Sequence, residues 1–172
     1  MENDERKPSL VEAYQARLAR VAVESWNDFD LRAMVDLARE LIGVPMASIT
    51  ILDNETFHFL VSAGSEPFCT DYDDAMCKYS MGKPGLFMVP DTLEDERMAD
   101  LPFVDGRAAS LRFYASTPIY ARGGVMVGRF CIFDDEARVL EPEHEQLLER
   151  LADAAGKAIQ RKQAASSELS DV

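Results

Sequence analysis

Apolar residues recur along the first quarter of the chain at helical spacing. After Ser9, a residue type suited to an N-cap, Val11, Tyr14, Leu18 and Val21 stand three to four positions apart and predict a helix to about Ser25. Trp26 ends that stretch, and Asn27-Asp28 reads as a break or a new cap. The next segment is the clearest helix: Leu31, Met34, Val35, Ala38, Leu41 and Ile42 share one face, with Asp, Arg and Glu opposite. Gly43 stops it where a left-handed cap is cheap, and Pro45 prevents its resumption.

The period then changes from helical to extended. Ala47 to Leu52 and Thr56 to Ser62 predict two strands joined by an Asp53-Asn54 turn. Residues 63–72 read as loop, and Asp73 to Met81 as a short helix carrying Met76, Cys77 and Tyr79. Leu86 to Val89 is a short strand after the turn cluster Gly82-Lys83-Pro84-Gly85, followed by an acidic loop with one helical turn over 91–100 and an irregular stretch over 101–110. Phe113 to Ala121 and Val125 to Asp134 form a second hairpin around Gly123-Gly124, and Pro142 to about Lys162 is a long helix. This order predicts an α+β domain with an antiparallel sheet and terminal helices on one face. It occupies residues 9–163, between a disordered N-terminus over 1–8 and a disordered tail over 164–172.

Composition changes the picture in two places. A formal net charge of −13 leaves a surface poor in clustered Lys and Arg, which argues against nucleic acid or an anionic membrane as partner. No apolar run approaches the roughly 20 residues that span a bilayer, and the acidic start Met1-Glu2-Asn3-Asp4-Glu5 is unlike a signal peptide, so a cytoplasmic location is expected. Cys69, Cys77 and Cys131 are too few for a disulfide framework, and with only His58 and His144 beside them a structural zinc site is not expected.

Four stretches, in order, resemble the GAF-domain family from about Leu31 to Ile159. They are Leu41-Ile42-Gly43-Val44-Pro45 with the following strand and Asp53 turn, then Met88-Val89-Pro90-Asp91-Thr92 with Asp95-Glu96-Arg97 behind it. The third and most specific is Leu111-Arg112-Phe113-Tyr114-Ala115-Ser116-Thr117-Pro118-Ile119, and the fourth is Val127-Gly128-Arg129-Phe130-Cys131-Ile132-Phe133-Asp134. The resemblance implies a central antiparallel sheet of five or six strands. The N- and C-terminal helices would pack on one face, and a pocket covered by loops and short helices would lie on the other. Members of the family serve in histidine kinases, cyclic-nucleotide-regulated enzymes and transcription regulators, where the pocket senses a small molecule or chromophore.

The candidate pocket residues are Met76, Cys77, Tyr79, Asp91, Arg97, Met98, Phe103, Arg112, Phe113, Tyr114 and Arg129. Arg97, Arg112 and Arg129 supply forks for an anionic ligand such as a nucleotide; the alternative for Arg112 is a structural pair with Asp91. The aromatic and thioether groups can clasp a planar ligand or simply fill a core. Cys77 lies near where bilin-binding relatives carry their attachment thiol, but Lys78 follows it where those relatives usually have His. The thiol-enzyme branch, which reduces free methionine sulfoxide, needs cysteines converging on the pocket, a pattern this chain does not match. His58, alternating away from Phe57 and Phe59, and His144, among glutamates, are poor haem ligands.

The expected function is therefore a small-molecule-binding regulatory domain in intracellular signal transduction, not an enzyme, with the cofactor unknown. The alternatives are a thiol enzyme acting on a small oxidised substrate and a ligand-free interaction module. A homodimer through the terminal helices is expected, because Leu147, Leu151, Ala154 and Ala158 form a seam that Leu148, Ala155 and Ile159 widen, while Val11, Leu18 and Val21 form another.

Overall fold

Side-chain alternation along each strand divides one six-stranded antiparallel sheet into two apolar faces. The computed structural model describes residues 9–24 and 29–170. The expectations for residues 1–8 and for Trp26 and the Asn27-Asp28 break lie outside the described residues. The strands are β1 (Met46–Asp53), β2 (Thr56–Ala63), β3 (Phe68–Asp71), β4 (Phe87–Val89), β5 (Phe113–Tyr120) and β6 (Met126–Asp134). Their spatial order is β3-β2-β1-β6-β5-β4, so the two hairpins meet at the β1–β6 pair in the middle of the sheet. β3 corrects the loop expected over 63–72: it pairs with β2 from Thr56↔Asp71 to Phe59↔Phe68 and extends that side of the sheet. The helix expected over 73–81 is two separate 3-10 turns, Tyr72–Asp74 and Met76–Tyr79, broken by Ala75 in an extended conformation.

Three helices cover one face: α1 (Leu10–Glu24), α2 (Phe29–Ile42) and α3 (Pro142–Ser170). Ser9 opens α1 as a capping box, its Oγ accepting from the Glu12 amide at 3.3 Å while the Glu12 carboxylate accepts from the Ser9 amide at 2.7 Å. Gly43 ends α2 in the left-handed region at φ +77°. α3 runs on through Ser170, past Lys162, so residues 164–170 are helical where a disordered tail was expected.

The core under the helices contains Leu31, Val35, Ala38 and Ile42 of α2 and Leu148, Ala152, Ala155, Ala158 and Ile159 of α3. These meet Ile49, Ile51, Phe113, Ile119, Phe130 and Ile132 of the sheet. Leu147 and Leu151 are half-buried against the same core, so much of the wide apolar arc of α3 is used by its own sheet. Exposed apolar residues lie instead on α1, at Leu10, Val11, Leu18 and Val21, and on α2, at Phe29, Leu37 and Leu41.

A second core fills the opposite face, with Leu52, Phe57, Phe59, Tyr72, Met76, Cys77, Met98, Tyr114, Cys131 and Phe133. One irregularity decides which residues reach it. The β1–β2 register shifts between Ile49↔Val61 and Thr50↔Phe59, so Leu60 is the extra residue of a bulge. Phe57 and Phe59 therefore point to the second core, while Val61 and Ala63, at the same parity, point to the helices.

Candidate ligand-binding site

On the face away from the helices, β1, β2, β3 and β6 form the floor of a cavity, and the segments around Ser65, Ala75–Cys77, Phe103 and Ala109–Leu111 form its walls. Its volume is about 220 Å³. Phe59, Ala75, Met76, Cys77, Leu111 and Phe133 are the buried lining, and Met46, Ser65, Phe68, Thr70, Phe103 and Ala109 form a half-buried rim. The aromatic rings touch in sequence: Phe59 stacks on Phe68 with centroids 4.2 Å apart, Phe68 meets Phe103 at 5.7 Å and Phe59 meets Phe133 at 6.2 Å. Among the described residues no acidic or basic side chain lines this space.

Behind the cavity lies a buried polar network. Cys77 Sγ is 3.8 Å from Cys131 Sγ, and the Tyr114 hydroxyl is also 3.8 Å from Cys131 Sγ. That hydroxyl donates to Ser116 Oγ at 2.9 Å and bonds Ser80 Oγ at 2.8 Å. Arg129 completes the network from β6. Its Nε donates to Ser116 Oγ at 2.7 Å, and its terminal nitrogens donate to the carbonyls of Ser80, Lys83, Gly85 and Ser116 at 2.7–3.0 Å. Arg129 is fully buried, and its fork pins the turn between the second 3-10 segment and β4 to the sheet. Burial pushes the Cys77 thiol well above its ordinary pKa and does the same to the Tyr114 hydroxyl, so both are neutral near pH 7.

The other two arginines are engaged locally. Arg112 grips Asp91 with two bonds, at 3.0 and 2.8 Å, which is the structural pairing that the sequence offered as an alternative to anion binding. That bond holds the Asp91 carboxyl below the ordinary aspartate range. Arg97 pairs with Asp95 at 3.0 and 2.6 Å, and its guanidinium lies over Tyr79 and Phe87 at 5.6 and 5.4 Å from their centroids.

Of the eleven candidate residues, Met76, Cys77 and Phe103 line the cavity. Met98, Tyr79 and Tyr114 belong to the surrounding core, and Asp91, Arg97, Arg112 and Arg129 are paired elsewhere. Phe113 is a correction. Alternation places it under the helices in the other core, with the Arg138 guanidinium 5.9 Å from its ring centroid. His58 lies across from Cys69, its Nδ1 3.2 Å from that exposed thiol. Burial, then the Arg20 charge, lowers the pKa of its imidazole.

A family-wide sequence profile described as GAF domain matches residues 31–159. The chain belongs to the GAF-domain family. A protein named cyclic di-GMP phosphodiesterase from Pseudomonas aeruginosa is 36% identical over 116 residues. That match takes in 67% of this chain but a fifth (20%) of the relative, so the chain spans one portion of it. The PixJ GAF domain of Thermosynechococcus elongatus, solved in its blue-light absorbing form, superposes with a TM-score of 0.67 at 11% identity, over 96% of this chain and 97% of that one. A type II free methionine-R-sulfoxide reductase from Thermoplasma acidophilum superposes with a TM-score of 0.62 at 16% identity, over 84% and 96% respectively. At such identities these two structures establish the shared fold.

Within this GAF domain, sequence reasoning missed most of the cavity. Met46, Phe59, Phe68, Thr70 and Phe133 come from strands, and period-two alternation was the signal available for them: Phe133 has the same parity as Cys131, and Thr70 as Phe68. Ser65, Ala109 and Leu111 come from irregular segments and had no periodic signal. Among the described residues no group of His, Cys, Asp and Glu side chains could hold a metal ion, and no helix is long and apolar enough to cross a membrane.

Proposed function

We propose that this GAF domain is a sensory or regulatory module of intracellular signal transduction, which binds a small molecule in the cavity and is not itself a catalyst. The observation that carries this reading is the cavity's position: it opens on the face of the sheet opposite the terminal helices. β5 and β6 connect the two faces, since alternate residues of the same strands contact the second core and α3. Ligand binding would favour one arrangement of the covering segments, and the strands would pass the difference to the helices as a population shift. We further propose that the domain forms homodimers through its terminal helices, the exposed apolar residues of α1 supplying the contact. Native mass spectrometry of gently purified protein tests both parts. A dimer with a reproducible added mass supports the reading; a clean, unliganded monomer counts against it.

The close approach of two thiols favours a second reading, a thiol enzyme acting on a small oxidised substrate. Cys77 lines the cavity and Cys131 lies 3.8 Å behind it. Against it stands the raised pKa of Cys77, because the thiolate is the nucleophile. Iodoacetamide at neutral pH separates the readings. A catalytic Cys77 alkylates quickly in the native protein, whereas under the sensor reading only the exposed Cys69 does so.

A further inference from the structure

The lining of the cavity restricts what can enter it. Four phenylalanines, Met46 and Met76 supply half of the twelve lining residues, and the surface they and their neighbours present is almost wholly apolar. A charged group inside this space would lose its hydration with no counter-ion to replace it. The three candidate arginines are held elsewhere: Arg97 by Asp95, Arg112 by Asp91, and Arg129 by four backbone carbonyls and Ser116. Size gives a second restriction. An apolar cavity of roughly 150 Å³ accommodates benzene, and the larger volume of about 220 Å³ leaves space for a second fused ring.

We infer that the cavity takes a neutral aromatic molecule of one or two rings, held by edge and face contacts with Phe59, Phe68, Phe103 and Phe133 and by the two thioethers. This specifies the ligand class of the sensor reading above and rests on it. Cyclic nucleotides and other anions are excluded from this space by the same argument.

The test is calorimetric titration of the full chain with indole, with indole-3-carboxylate as its charged counterpart and with cyclic GMP. Hydrogen exchange along residues 142–170 is followed in parallel. The expected result is one indole bound per chain, with indole-3-carboxylate at least tenfold weaker and cyclic GMP undetectable. Thr70→Phe, which adds bulk at the rim on a strand that tolerates an aromatic residue, should weaken indole at least tenfold while leaving the unfolding midpoint unchanged. Ala109→Phe is the second blocking variant, should the first disturb β3. Binding of cyclic GMP or the carboxylate in preference to indole, abolished by either blocking variant, overturns the neutral-aromatic assignment and leaves the sensor reading standing. Indole binding without altered exchange in α3 keeps the ligand class and counts against signalling through the helix. Absence of binding by all three probes overturns the ligand class, while the sensor reading is then judged separately by whether native mass spectrometry shows a retained added mass.

Discussion

Arg129 Nε donates to Ser116 Oγ at 2.7 Å across the β5–β6 pair, and the same guanidinium caps the carbonyls of Ser80, Lys83 and Gly85. The bonds satisfy a turn that would otherwise bury its backbone acceptors, and they give a cationic side chain a structural task inside an apolar domain. Arg129→Met keeps the volume but orphans those carbonyls, so a loss of about 3–5 kcal/mol is expected from several unsatisfied buried acceptors. Urea unfolding measures it. Arg129→Lys should recover only part, since an ammonium cannot reproduce the fork.

Acid stability should depend on three aspartates. Asp91 is held below its ordinary pKa by the Arg112 side chain, Asp95 by the Arg97 side chain, and Asp105 first by the Arg107 amide. In each case the unfolded chain binds the proton more readily than the folded one. The stabilisation is therefore complete above the ordinary aspartate value of about 4 and is lost as pH falls through the lower folded values. The denaturant midpoint should drop below about pH 4, and Asp91→Asn combined with Asp95→Asn should make that drop shallower while lowering the midpoint at pH 7.

Gly64 turns the chain out of β2 at φ +86°, and a Cβ there would stand 1.9 Å from the Pro45 carbonyl oxygen. Gly64→Ala combines an unfavourable left-handed backbone with a backbone clash. A loss of about 2 kcal/mol or more is expected, read as a lower thermal midpoint. Because Ser65 follows directly and lines the cavity, indole affinity should fall in the same variant.

The proposed dimer is tested on α1, where substitution leaves the core intact. Val11 is 62% exposed and Val21 is 48% exposed. The double variant Val11→Lys, Val21→Lys should sediment as a monomer at concentrations where the parent chain is a dimer, with an unchanged unfolding midpoint at low concentration. An unaltered sedimentation coefficient would remove the α1 surface from the interface. Leu151 is a poorer choice, being half-buried against the core under the helices.

The fold was legible because its signals are local. Helical spacing from Leu31 to Ile42, the Asn54 and Gly123-Gly124 turns and the apolar runs of β5 and β6 each declare themselves within about ten residues. β3 was not, because Phe68–Asp71 is four residues long and its strand character comes from pairing with β2. The site was legible only in part. Phe113 and Tyr114 are neighbours in one strand and cannot both face one pocket, so alternation alone would have removed Phe113. The bulge at Leu60, by contrast, reverses the facing of Val61 relative to Phe59 and left no mark in the residue pattern. The destinations of Arg129 were not legible either, because its partners Ser80, Lys83 and Gly85 lie more than forty positions away.

Tyr120 joins three parts of the molecule. Its hydroxyl donates to the Pro84 carbonyl at 3.3 Å, in the turn that Arg129 pins, and its own carbonyl accepts from Gln160 of α3 at 2.9 Å. Gly156 lies one turn earlier on that helix, and any Cβ there would come within 2.9 Å of the same Tyr120 oxygen. Helix and strand are thus joined by the Gln160 side chain and by a close approach at position 156 that glycine alone permits. The missing side chain at position 156 therefore sets how near the last helix lies to the strand, as the thickness of a spacer sets a gap.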